Sequence, residues 1–237
     1  KSSLGLAYVH SWMWQDAWKM LSEAKRIDPR IALTELGFAL YYAGIGDSLQ
    51  VKRLLVKADE LDPLNEEIAD WGTWALMMTG DVDSAQKWSQ RKRKLHPYNP
   101  YLYLGSAVAH YIGGDFGDAI KLAKEGVRLS ERAPFALVIL AQSYAAAGEN
   151  NNVEALINEA ESAGQYMCPY ETAIVHLFKE EKDKAFELLN LAVDYQSNCL
   201  IFTKNDPRLN SIREDARYEN LLEKIGLDDN SIKHFQR

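Results

Sequence analysis

Five histidines, two cysteines and several short runs in this 237-residue sequence have the residue types of a reactive centre. His10, His96, His110, His176 and His234 could ligate a metal or move a proton near neutral pH. None belongs to an HExxH pair or another close ligand set, and Cys168 and Cys199 lack metal spacing. They read as surface or hydrogen-bonded structural histidines. Residues 113–117, GGDFG, have the glycine content of a phosphate loop. No strand precedes them, and no GxGxxG or HRD motif accompanies the DFG triplet. Ser84-Ala85-Gln86-Lys87 has the SxxK spacing of an acylated serine, without its companion motifs. Glu66 and Glu67, or Asp59, Glu60 and Asp62, could form acid pairs, but they flank loops where carboxylates cap helices. Arg91-Lys92-Arg93-Lys94, with Lys87, is the densest basic run. Four successive residues wrap most of a helix, so the run is a solvated face or a contact for an acidic partner or neighbouring domain. No catalytic residue, metal ligand or cofactor site is expected.

Composition narrows the classes further. Apolar residues make up 47% of the chain, enough for a sizeable core. The net charge of −7 argues against direct nucleic-acid binding, which needs a basic excess. No apolar run reaches the length of a membrane span, and the start, KSSLGLAYVHSWMWQ, lacks the order of a signal peptide. Two cysteines rule out a disulfide-framework protein.

The elements that would carry any site are marked by a repeat. Gly46, Gly80, Gly114 and Gly148 are each 34 residues apart, and each precedes an acidic residue: Asp47, Asp81, Asp115 and Glu149. Pro29, Pro63 and Pro97 keep the same step of 34, as do Pro100 and Pro134. Ala17, Val51, Ala85, Ala119 and Val153 keep it too. Glycine permits a left-handed turn after a helix, the acidic residue caps the next, and proline ends a helix or opens one. Between these marks the spacing of Ile68, Trp71, Ala75 and Met78 is helical.

A helix–turn–helix of 34 residues with Gly-Asp at the turn and Asp-Pro at the end resembles the tetratricopeptide repeat (TPR). Leu4, Gly5, Tyr8, Ala17, Leu21, Ala24 and Pro29 follow its pattern, and so do Phe38, Ala39, Tyr42, Val51, Leu55, Ala58 and Pro63. A sixth copy, with Ala173, Ala185, Leu189 and Ala192, runs two residues short. The resemblance implies an all-α superhelix of about six helix pairs over residues 1–197. Residues 198–237 form a loop and C-terminal capping helices in the same domain. Pairs are expected near 4–13 and 16–27, 31–44 and 47–61, 66–79 and 82–95, 100–112 and 116–129, 134–147 and 150–163, and 169–179 and 182–195. Residues 198–208 are expected as a loop with one extended stretch, and the end DDNSIKHFQR is expected to fray. The chain starts inside the first repeat, so with an uncapped solenoid end it is expected to be an excised piece of a longer protein or a processed one. The run DPRLNSIREDARYENLLEKIGL is similar to the tail of repeat domains in bacterial signalling proteins, including ToxR/CadC-like winged-helix activators and cyclase-linked regulators.

In TPR proteins the first helix of each pair lines a concave face. The family's inward positions fall here on Trp74, Met78, Tyr101, Leu104, Val108, Tyr111, Phe135 and Val138. Their aromatic and aliphatic character points to an apolar helix or peptide as partner. The alternative for each is packing between helices. The resulting expectation is a non-catalytic protein-interaction or sensory module, the regulatory part of a bacterial signalling or transcription regulator. A homo-oligomeric scaffold, a small-molecule sensor and an enzyme of unrecognised type are the alternatives. Cys168 and Cys199 lie at neighbouring ends of the sixth hairpin, where a disulfide is geometrically allowed. Such a bridge would favour the periplasmic side of a membrane-anchored regulator over the cytoplasm.

Overall fold

A computed structural model describes residues 1–235; Gln236 and Arg237, in the end expected to fray, lie outside the described residues. The fold is all-α and TPR-like, with 14 α-helices and no strand among the described residues. The helices are α1 (Ser2–His10), α2 (Trp14–Ile27), α3 (Ala32–Ile45), α4 (Ser48–Leu61), α5 (Glu66–Met78), α6 (Val82–Leu95) and α7 (Pro100–Ile112). They continue as α8 (Phe116–Leu129), α9 (Pro134–Ala146), α10 (Val153–Ser162), α11 (Pro169–Phe178), α12 (Lys182–Asp194), α13 (Ala216–Lys224) and α14 (Asp229–Phe235).

The period of 34 sets where helices stop. Gly46 ends α3 at φ 88°, with Gly46 N–H donating to Tyr42 O and the Asp47 carboxylate accepting from Gln50 N–H. Gly80, Gly114 and Gly148 repeat this left-handed turn at φ 82°, 87° and 76°. Two non-glycine residues take the same role. Trp12, one period before Gly46, has φ 59°, and Glu180 turns the shortened sixth pair at φ 62°. Trp12 therefore ends α1 at His10, three residues before its expected end. Ala17, Val51, Ala85, Ala119 and Val153, the small residues in step, are all buried between paired helices. The fifth pair departs locally: Asn150–Asn152 form a 3-10 turn before α10, with Val153 N–H donating to Asn150 O, in a run of residues with low helix propensity.

The chain divides into two compact units: Lys1–Asp81 with Tyr195–Arg237, and Val82–Asp194. In the first, Leu21 of α2 fills the space left by Gly5 and Gly37, where a Cβ would stand 2.7 and 2.5 Å from its Cδ2. Glu35 of α3, fully buried, holds Lys25 of α2 at 3.0 Å and Lys57 of α4 at 2.7 Å. The C-terminal segment of this unit corrects two expectations. Asn198–Phe202 is a 3-10 helix rather than an extended stretch, and the end expected to fray forms α14 over Asp229–Phe235. Asp228 explains the second: its carboxylate accepts from the N–H groups of Asn230 and Ser231 and starts that helix. In the second unit, Gly126 of α8 lets Leu104 of α7 pack close, at 2.5 Å from where a Cβ would lie.

Candidate functional site

The first helices of the pairs were expected to carry the binding face, and each unit builds that face differently. In the first unit the face is made by α1, α3 and α5, and the C-terminal segment lies on it. Phe202 meets Trp71 of α5 with ring centroids 6.3 Å apart. The amide of Asn205 donates to Ala43 O at 3.1 Å and Gly44 O at 2.9 Å, the last carbonyls of α3. A Cβ at Gly46 would stand 2.6 Å from Asn205 Oδ1, so this glycine serves both the turn and the approach of the segment. Arg208 places its guanidinium 5.7 Å from the Trp74 ring and is paired with Asp206, Nη2 to Oδ2 at 2.7 Å, both side chains buried. Further back, Trp14 Nε1 donates to Ile225 O at 2.8 Å.

The segment's shape is held by its own side chains. Tyr218 donates its hydroxyl to Thr203 O at 2.8 Å, and Arg213 donates to Lys204 O at 2.6 Å and Asp206 O at 3.1 Å. Burial pushes the Tyr218 phenol up to about 12. Two polar groups of α1 and α5, His10 and Asp70, are half-buried. Burial pushes Asp70 of α5 up to about 7, against the lowering by a hydrogen bond from Trp74, and its Oδ1 has no hydrogen-bond partner. His10 of α1, its ring 4.6 Å from that of Trp71, is lowered to about 4 by burial.

In the second unit, α7, α9 and α11 are tied side by side. Tyr111 donates its hydroxyl to Gln142 Oε1 at 2.6 Å. The Gln142 amide then donates to Glu171 Oε2 at 2.7 Å and Glu171 O at 2.8 Å. All three residues are buried. Tyr111 also meets Phe178 edge-on, with centroids 5.6 Å apart. At the other end of α7 and α9, the Tyr101 and Phe135 rings stand 6.2 Å apart, Tyr101 being 52% exposed and Phe135 half-buried. Asn99 accepts from Tyr101 N–H, and Pro100 and Pro134 open the two helices, which sets these aromatic residues in the same first turn.

The eight anticipated face residues therefore separate. Trp74, Met78, Leu104, Val108, Tyr111 and Val138 are buried by the chain itself and offer no open lining. In α7 and α9 these positions face the neighbouring helices, α6, α8, α9, α10 and α11, which pack against them. Tyr101 and Phe135 keep accessible area. Cys168 is buried and lies in the second unit, and Cys199 is half-buried and lies in the first. The basic run also divides: Lys92 is fully buried beside Trp88, whereas Arg93 lies over Tyr103 at 5.3 Å. Sequence reading missed the seat of the C-terminal segment and the Tyr111–Gln142–Glu171 relay. Gln142, a polar residue in the otherwise apolar run of α9, is the one trace of the relay that the sequence carries.

Among the described residues no group of three His, Cys, Asp or Glu could hold a metal ion, and no helix is long and apolar enough to cross a membrane. No family model matches the sequence, and no curated protein does. Solved structures are similar in fold. PilW, a type IV pilus biogenesis factor, is 15% identical with a TM-score of 0.60, covering 89% of this chain and 96% of its own. PilF of Pseudomonas aeruginosa is 14% identical with a TM-score of 0.58, covering 94% of this chain and 95% of its own. A chain of the APC/C hetero-tetramer Cut9-Hcn1 is 15% identical with a TM-score of 0.61, and the match spans 98% of this chain and 48% of that one. These likenesses, with the 34-residue period and its left-handed turns, make the fold a TPR-like helical repeat.

Proposed function

We propose that this chain is a non-catalytic protein-interaction module whose first-helix faces receive polypeptide segments. One observation carries the reading: in the first unit, residues 198–208 lie across α1, α3 and α5, anchored by an aromatic contact, two backbone hydrogen bonds and a cation over an indole. A face that accepts part of its own chain has the chemistry to accept another. In the second unit the Tyr101–Phe135 pair supplies the aromatic area typical of binding anchors. The finer reading is the regulatory part of a bacterial signalling or transcription regulator, supported by the DPRLNSIREDARYENLLEKIGL tail.

The test uses Tyr101→Ala with Phe135→Ala as bait against cell extract, with bound proteins identified by mass spectrometry. Loss of a specific partner, with helical circular dichroism and melting preserved, supports the reading. The same partners bound equally by wild type and variant would sink it. Light scattering addresses the alternative of a homo-oligomeric scaffold: a mass that grows with concentration and collapses in the same variant would favour the scaffold.

A further inference from the structure

The second unit carries a groove on the side of its second helices, away from the first-helix aromatic pair. It is an open cavity of about 840 Å³ bounded by α6 and α8 with α7 between them. Gln90 and Arg93 line one wall, Tyr103 and His110 the floor, and Asp118, Lys121, Lys124, Glu125 and Arg128 the other. Its charge is opposite to that of the chain, which is −7 overall. Arg128 is held by Glu125 through two hydrogen bonds of 2.8 and 2.6 Å. Arg93, Lys121 and Lys124 then share the groove with one further carboxylate, Asp118, and Lys124 Nζ also lies 5.6 Å from the Tyr144 ring. None of these three cations makes an ion pair among the described residues.

Arg93 is the unusual member. Its guanidinium lies over the Tyr103 ring, its Nε is buried with no acceptor, and burial lowers its pKa. Asp118 offsets part of this half-buried charge, and a carboxylate arriving from outside would also supply the acceptor that the buried Nε lacks. The extent of the groove limits what would bring that carboxylate. Its lining on α8 runs from Gly117 to Arg128, about 16 Å of helix at 1.5 Å per residue. An extended chain of about five residues spans that length. Asp118 and Glu125 among the cations disfavour a uniform polyanion such as a nucleic acid.

We propose that this groove docks a short, extended acidic segment of a partner polypeptide, with carboxylates on Arg93, Lys121 and Lys124 and a side chain packed on Tyr103. The proposal is independent of the first-helix reading, because it uses none of the same residues.

The experiment selects peptides from a random seven-residue display library on the folded chain. Sequences enriched in Asp and Glu are expected. The best of them, labelled, is then titrated by fluorescence anisotropy. Affinity should fall about tenfold in Lys121→Gln with Lys124→Gln, since rim charges dominate such encounters. Both side chains are exposed, so the fold is retained and circular dichroism verifies it. Arg93→Gln should weaken binding at least as much, and Tyr101→Ala with Phe135→Ala should leave it unchanged. Selected peptides without acidic enrichment, or an affinity indifferent to the two lysines, would overturn the proposal. So would loss of binding in the Tyr101 and Phe135 variant, or tighter binding of a six-nucleotide single strand to the same lysines.

Discussion

The two units solve one problem in different ways. Each must cover the inward rims of first helices, which in a repeat array face neither a partner helix nor bulk core. In the first unit the cover is a returning piece of chain, with a buried Asp206–Arg208 pair set over Trp74. In the second the helices close on one another through Tyr111, Gln142 and Glu171. The first solution buries an ion pair, and the same unit holds Asp70 raised and His10 lowered by burial. The second buries one amide bridge and leaves the Tyr101 and Phe135 rings accessible at the opening turns of α7 and α9. Covering a face with a segment permits exchange for another segment; closing helices on each other does not.

The largest expected effect probes the returning segment. Asp206→Ala leaves Arg208 buried beside Trp74 without its carboxylate and removes the acceptor for Arg208 N–H. Breaking one side of a buried pair costs about 3–5 kcal/mol. Urea unfolding should show that loss; a change under about 1 kcal/mol would mean that the segment contributes little to this unit.

Asp70 gives the next effect, and its sign depends on pH. Its carboxyl ionises near 3.8 in an unfolded chain and only near 7 when folded. Between those values the folded state retains a proton that the unfolded state has lost. Stability should therefore fall as pH rises from about 4 to 7 and then level off. Asp70→Asn removes the titration while keeping an acceptor for Trp74. It should be near neutral at pH 4 and stabilising by about 2–4 kcal/mol at pH 8. An unchanged stability-versus-pH curve for this variant would remove Asp70 from the account.

In the second unit, Gln142→Ala deletes the bridge between Tyr111 and Glu171. Hydrogen bonds to a charged group are worth about 1.5–3 kcal/mol, and a loss of about 2–3 kcal/mol is expected. The smallest effect concerns the shortened sixth pair. Glu180→Gly relieves a left-handed residue at φ 62° and should stabilise by about 0.5–1 kcal/mol after the extra entropy of glycine is subtracted. Thermal melting reads both, and a destabilising Glu180→Gly would mean that the turn depends on the glutamate side chain.

Helix positions were readable because the signals for them are local. Gly46 and Asp47, or Asn99 and Pro100, act within one turn of helix, so their spacing alone located the ends of α3 and α7. At Trp12 the period holds while the glycine does not, and at Glu180 the turn survives without the glycine and two residues short of the period. The candidate face was readable only as a register. Whether a residue on it is open depends on what covers it, and Tyr111 and Tyr101, both aromatic and both on α7, differ on that point alone.

What this sequence determined by itself is the helical repeat: the period of 34, the paired helices and the small residues between them, all set by interactions within one turn or one pair. Tertiary structure decided the rest. Asn205 bonds carbonyls 161 and 162 positions away, and Gln142 joins side chains 31 positions before it and 29 after. No local spacing announces such partners, because the side chains meet only after the intervening helices have stacked, and stacking fixes distance, burial and charge together.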